Sequence, residues 1–285
     1  MAWDIAVAGT FHHDDVTTPH GRAESFGGSA AYFALAAARY TRVFVNGIAG
    51  SGARETYQAM FEGLPVDSSG LAISDRPTFV WHVVHDFDHW VTASESADPG
   101  CDPEWVPSLA PAARDAQALF LASLRPELQR AVLEQSRARL IAVDSMKLFI
   151  RTQPAEVLSL VEASDVLFLT ADELALLSGQ PEWRQAASSL CGRGRLRCVV
   201  VKRGPLGASC VTASAIVDVA AEPVEQVVDP TGAGDALAGG FLGWCAIRER
   251  DDDDHFVDAL REGVRCAAGA VATFGTAGLQ VRLTA

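Results

Sequence analysis

The sequence predicts a three-layer α/β/α fold: a mostly parallel central sheet, helices on both faces, and a small β-rich lid. Three observations predict it. Short apolar runs alternate with helix-length segments along most of the chain, and parallel strands need such helical crossovers. Glycine-rich turns sit where strands give way to helices, at Gly27-Gly28 and at Gly232-Ala233-Gly234. Residues 76–94 break the alternation: they are β-rich, with aromatic and His positions interleaved, and read as one or two antiparallel strands outside the main layer. No Pro/Ser-rich linker or internal repeat divides the chain. The expectation is one domain, residues 1–285, with lid strands from about 10–20 and 76–94.

Each element has a local reason. Trp3 to Ala8 is an apolar run closed by Gly9, as in a buried strand. Ser29 to Ala38, after the glycine pair, reads as a helix of small residues, and Val43 to Val45 returns to strand. Ala118 to Ala122 is the next strand, and Pro126 to Arg137 a helix with proline in its first turn. Leu140 to Val143, Val166 to Leu169 and Cys198 to Val201 continue the strands. Pro154 to Glu162 and Ala171 to Leu177 continue the helices, the latter stopping near Gly179. A strand is expected to end at Val228. Ala233 to Ile247 and His255 to Phe274 read as the last two helices. Between them Asp251 to Asp254 supply negative charge to a helix N-terminus. They lack the spaced oxygens and central glycine of an EF-hand, so calcium is not expected.

Composition bounds the function. The net charge of −13 over 285 residues disfavours nucleic-acid binding. The N-terminus lacks the basic and apolar regions of a signal peptide, and no run of 18 apolar residues predicts a membrane span. The six cysteines form no C-x-x-C pair and read as reduced thiols of a cytoplasmic protein. Lysine occurs only at Lys147 and Lys202, every other basic residue of the Lys/Arg type being arginine. Codon bias explains the scarcity, yet a flexible ammonium is not equivalent to a guanidinium fork.

The chemistry concentrates in Asp229-Pro230-Thr231-Gly232-Ala233-Gly234-Asp235. Small residues turn into a helix there. The first N–H groups of a helix have no internal partner and sit at the positive end of its dipole, so they suit an anion. Asp235 in that first turn either complements the dipole or, beside a bound phosphate, accepts the proton of an attacking hydroxyl. The stretch has neither the spacing nor the early position of G-x-G-x-x-G, and no G-K-[ST] follows it. Gly9 is followed by Thr-Phe-His-His, which argues against a nicotinamide dehydrogenase.

Asp-Pro-Thr-Gly-Ala-Gly-Asp closely resembles the C-terminal signature of the PfkB (ribokinase-like) carbohydrate kinases. Gly27-Gly28-Ser29-Ala30-Ala31-Tyr32 is similar to the family's N-terminal di-glycine motif, Asn46-Gly47-Ile48-Ala49-Gly50 to the turn after it, and Val199 to Ala208 to its strand before the nucleotide. The resemblance spans nearly the whole chain. It implies a ribokinase-like fold and transfer of the γ-phosphoryl of ATP to a hydroxyl of a sugar, nucleoside or cyclitol. Asp235 is implied as catalytic base, and the N–H groups of Gly232, Ala233 and Gly234 as the anion hole. Asp14 is implied to hold acceptor hydroxyls, with Asp15 its competitor, beside Gly27, Gly28 and Ser29. The 76–94 segment becomes a lid that excludes water, from which His82 or His85 touches the acceptor. Lys202, Gly204, Gly207, Thr170 and Thr231 are implied at the nucleotide, with its base near residues 255–276. Glu173 is implied to hold Mg²⁺ through water, and Asp229 a monovalent cation such as K⁺. Lids of this family often pair, so a homodimer through the lid is open.

Three positions depart from the family's pattern. Thr170 replaces an asparagine at the metal–phosphate region, Tyr32 stands where the acceptor side often has asparagine, and Gly50-Ser51-Gly52-Ala53 lacks an acidic residue. The Thr170 and Tyr32 departures motivate an alternative, a nucleotide- or metabolite-binding protein with weakened catalysis. A zinc site at His82, His85 and His89 is disfavoured, since alternation puts His82 on the opposite face from the other two. His12 and His13 line the pocket or lie in an exposed loop. Lys147 follows a strand's ligand-facing end, with a surface lysine as the default.

Overall fold

The computed structural model describes residues 4–88, 91–250 and 252–280. Strand β1 (Ile5–Ala8) is followed by a hairpin, β2 (His12–Thr18) and β3 (Gly21–Gly27), then by helix α1 (Ser29–Ala37). Next come β4 (Val43–Gly50), α2 (Arg54–Phe61), β5 (Val66–Ser74), and a second hairpin, β6 (Val80–Asp86) and β7 (Val91–Asp98). The middle of the chain holds α3 (Pro111–Arg114), β8 (Ala118–Leu121), α4 (Pro126–Leu133), β9 (Leu140–Asp144), α5 (Lys147–Thr152), α6 (Pro154–Glu162), β10 (Val166–Thr170), α7 (Ala171–Ser178) and α8 (Trp183–Leu190). It ends with β11 (Cys198–Lys202), β12 (Ala208–Val211), β13 (Ile216–Val219), α9 (Ala233–Arg248) and α10 (Asp253–Val271).

The central sheet has nine strands in the order β13-β12-β11-β10-β9-β8-β1-β4-β5. All neighbours are parallel except the β11–β12 and β12–β13 pairs. Alternation along β1 shows the layering. Ile5 and Val7 belong to the core shared with α1, α9 and α10, while Ala6 and Ala8 belong to the core shared with α4, α6, α7 and α8. A chain of rings crosses the first core. Phe33 stacks on Phe120 at 4.6 Å, Phe168 meets Phe241 edge-on at 5.4 Å, and Phe241 stacks on Phe256 at 5.7 Å. Each buried ring contributes roughly 1.5–3 kcal/mol by burial alone, and together they fix α9, which carries the candidate base, against the sheet.

The lid is larger than the sequence indicates: a separate four-stranded sheet, β3-β2-β6-β7. β2 pairs antiparallel with β3 and parallel with β6, which ties residues 12–18 to residues 80–86. The strand expected to end at Val228 does not form. That segment is held instead by N–H bonds of Val228 and Asp229 to Val271 O, at 2.8 and 3.3 Å. The helix expected to reach Arg137 stops at Leu133, and α2, β5, α8 and the β12–β13 hairpin are additional to the expected elements. Asp252 caps α10 by accepting the His255 N–H, the expected use of the aspartate run. Trp3, His89 and Asp251, on which expectations fall, lie outside the described residues. No described helix is long and apolar enough to cross a membrane.

Candidate active site

A cavity of about 640 Å³ opens between the carboxyl ends of the parallel strands and the lid sheet. This edge is where open α/β sheets take ligands. The strand ends contribute Gly9, Thr10, Ser123 and Met146; the lid contributes Asp14 and Trp81; the start of α9 contributes Thr231, Gly232 and Asp235. Phe79, Trp105 and Phe149 add aromatic wall.

The turn into α9 is built by its own side chains. Asp229 Oδ1 accepts the Thr231 N–H at 2.8 Å, and Oδ2 accepts the Gly275 N–H at 3.4 Å. Gly232 caps the helix at φ 73°, the left-handed region. A Cβ there would stand 2.3 Å from the Tyr32 ring, so both conformation and space require glycine. Of the three N–H groups expected to form the anion hole, that of Ala233 turns back to Pro230 O at 3.3 Å. The N–H groups of Gly234 and Asp235, in the first helical turn, have no carbonyl to meet within the helix.

Asp235 lies half-buried on the cavity wall. Burial and the nearby Asp144 carboxylate push it up to about 7, against the opposing pull of Lys202. A carboxylate poised near neutrality suits a general base. Below it, Lys202 Nζ donates to both oxygens of Asp144, at 3.0 and 2.7 Å. Burial lifts Asp144 to about 6, with Lys202 pulling the other way. Burial also opposes the charge on Lys202, but Asp144 and Glu173 hold it well above the ordinary lysine value, so the pair is ionised at neutral pH. At the opposite end, Asp14 is 1% exposed and lifted by burial to about 6.

A model of the pfkB family carbohydrate kinases matches residues 3–281. The chain belongs to the PfkB family. It is a phosphotransferase with an alcohol group as acceptor. A cytidine kinase of Thermococcus kodakarensis is 28% identical over 251 residues, 84% of this chain and 87% of the relative. Two solved structures share the fold. The nucleoside kinase of Burkholderia thailandensis with inosine has a TM-score of 0.78 at 18% identity, covering 95% of this chain and 92% of its own. The aminoimidazole riboside kinase of Salmonella enterica, with aminoimidazole riboside and an ATP analogue, has 0.75 at 22%, covering 97% and 96%.

The structure of this PfkB protein sorts the expected site residues. Asp14, Gly28, Ser29, Thr231, Gly232 and Asp235 all line the cavity. Ser29 and Thr10 clasp each other: the Thr10 N–H donates to Ser29 Oγ at 3.0 Å, and the Ser29 N–H to Thr10 Oγ1 at 3.1 Å. Gly28 has φ 96°, and a Cβ would stand 2.4 Å from Thr10 O. Gly27 is not part of the lining. The space its missing side chain leaves is taken by Asp14 and Tyr32. His82 lies on the outer face of the lid, bonded to Asp15 at 2.9 Å and Asp98 at 3.4 Å, away from the cavity. His85 faces inward, and its Nε2 is 3.2 Å from Thr231 Oγ1, so it touches a lining residue of the α9 turn without itself lining the cavity.

Thr170 and Glu173 form a capping box at α7. The Thr170 N–H donates to Glu173 Oε2 at 2.8 Å, and the Glu173 N–H to Thr170 Oγ1 at 3.3 Å. The threonine hydroxyl caps the helix that presents Glu173. Gly204 and Gly207 shape the turn between β11 and β12, with φ 56° and 86°, outside the cavity. Lys147 pairs with Asp172 at 3.0 Å and is half-exposed, the surface reading. Among the described residues no cluster of three or more His, Cys, Asp or Glu side chains could hold a metal ion. Sequence reasoning missed Asp144, Phe79, Trp81, Trp105 and Ser123. They come from separate elements and carry no motif. His12 lines the cavity, stacked on Phe79 at 4.1 Å, whereas His13 faces Glu24 across the outer lid at 3.5 Å.

Proposed function

We propose that this PfkB protein transfers the γ-phosphoryl group of ATP to a hydroxyl of a nucleoside, with Asp235 as the base. One observation carries the reading: Asp235 and Gly232, the cap of α9, line the same cavity, so the proton acceptor lies beside the start of a helix, where an anion is favoured. The acceptor oxygen attacks phosphorus and loses its proton to Asp235 Oδ. The new O–P bond forms as the bond to the β–γ bridging oxygen breaks, and ADP leaves. The N–H groups of Gly232, Gly234 and Asp235 stabilise the charge on the moving phosphoryl, with Lys202 beneath them. In our reading Gly204 and Gly207 shape the nucleotide wall, and Asp14, Gly28 and Ser29 hold the acceptor.

Glu173 suits Mg²⁺ held through water: one oxygen accepts the Thr170 N–H, and the Asp144 carboxylate is a close neighbour. When bound, the ion would neutralise phosphate charge. Asp229 is less well suited to K⁺, because both its oxygens already accept backbone N–H groups. A reducing, cytoplasmic setting agrees with cysteines that form no disulfide among the described residues; Cys198 and Cys210 share a thiol–thiol hydrogen bond at 3.3 Å. A homodimer through the lid and a single domain over 1–285 remain part of the proposal.

The choice of nucleoside over sugar or cyclitol rests on Phe79, Trp81, Trp105 and Phe149, flat apolar walls that fit a planar base. The cytidine kinase relative and the inosine-bound neighbour point the same way. The test is ADP release over a panel of nucleosides, sugars and inositols, where nucleosides should turn over fastest. Asp235→Asn should lower kcat by about 10³-fold with ATP binding intact. Unchanged turnover would refute the base. Because only ionised Asp235 accepts the proton, wild-type kcat/KM should fall as pH drops below about 7. Ligand-dependent stabilisation without ADP across the whole panel would favour the non-catalytic alternative.

A further inference from the structure

We propose that Tyr32 is a specificity-determining residue of the acceptor site, its hydroxyl donating to one hydroxyl of the acceptor while Asp14 accepts from the same group. The inference rests on the kinase reading above and deepens it.

Two tyrosines near this end of the cavity are equally buried, both at 0% exposure. Tyr57 is structural: its hydroxyl reaches His12 O at 2.9 Å and Gly27 O at 3.0 Å, joining the lid to the di-glycine turn. Tyr32 borders the cavity, and its hydroxyl has no hydrogen-bond partner. Asp14 Oδ2 is likewise buried without a partner. Both side chains crowd one point. A Cβ on Gly27 would stand 2.4 Å from Asp14 Oδ2 and 2.7 Å from Tyr32 Cε2. The ring is pinned from the other side by Gly232, so it cannot swing off to find a partner elsewhere.

Buried polar atoms are normally satisfied, and leaving them unpaired is costly. A buried donor and a buried acceptor side by side match an alcohol, which can give one hydrogen bond and take another. Burial and the Asp14, Asp229 and Asp235 carboxylates keep the phenol protonated, so Tyr32 acts as donor and moves no proton. A site built on such a pair discriminates against analogues lacking the hydroxyl.

The experiment compares wild type with Tyr32→Phe, which keeps the ring, on the best acceptor and its monodeoxy analogues. Tyr32→Phe should lower kcat/KM about tenfold for the full acceptor. It should match wild type on the one analogue that lacks the hydroxyl it reads. The KM for ATP should not move, and the melting temperature without acceptor should hold or rise, because the variant removes an unpaired buried hydroxyl. Asp14→Asn should lose discrimination against that same analogue. An equal penalty on every analogue, no penalty at all, or different analogues for the two variants would overturn the proposal. If wild type phosphorylates no acceptor, the kinase reading itself fails, which is a different result.

Discussion

The two faces of the lid sheet carry the same residue types and do opposite things. Asp14 and Asp15 are adjacent on β2, paired with Trp81 and His82 on β6. Asp14 points inward, and burial pushes it up to about 6. Asp15 points outward, where hydrogen bonds from Arg22 and His82 pull it down to about 2. The histidines repeat the contrast. Burial lowers His85 on the inner face, while Asp15 and then Asp98 raise His82 on the outer one. Residue type does not distinguish these pairs. The period of two along a strand does. Charge is held unstable where a ligand can use it, and is neutralised where only water meets it.

The contrast breaks first at Asp14. Asp14→Asn should lower kcat/KM by about 100-fold, since it loses a carboxylate that accepts a substrate hydroxyl. It should also stabilise the fold at pH 8. A carboxyl raised from 3.8 to about 6 binds its proton more tightly when folded, so it costs stability as pH rises through that window. Thermal melts at pH 4 and pH 8 check the sign, and a variant less stable at pH 8 would contradict it.

His85→Ala should have a smaller effect, since it removes the 3.2 Å bond from the lid to the α9 turn but no side chain of the cavity lining. A fall of about five- to tenfold in kcat is expected. Steady-state rates at saturating substrate measure it, and an unchanged kcat would separate the lid from the turn. The smallest effect belongs to the outer face. Asp15→Asn should leave kcat/KM within about twofold and cost under about 1 kcal/mol of stability, as surface ion pairs do. A large loss of activity there would mean that the two faces have been assigned the wrong way round.

Legibility in the sequence was uneven for physical reasons. The turn at residues 229–235 was readable because a tight turn, a helix start and an acidic residue must be consecutive to work. The di-glycine turn was readable for the same reason, although Gly27 proves to accommodate Asp14 and Tyr32. His82 was misplaced toward the acceptor. Alternation said that His82 and His85 face opposite ways, but not which of them faces in. Lys202 was singled out by the motif around it, but its partner Asp144 lies 58 positions away on another strand and was not. Thr170, a departure at the metal–phosphate region of the family, also serves as a helix cap, a pairing with Glu173 three residues on.

The sequence by itself determined the layers, the lid's existence, the family and the candidate base, because these depend on periodicity and on contiguous motifs. Tertiary structure alone decided which aspartate of the Asp14-Asp15 pair meets the cavity, that Asp144 is the partner of Lys202, and that the Tyr32 hydroxyl is left unpaired. Those outcomes depend on distances between residues remote in the chain, and on burial. Local spacing carries no information about either.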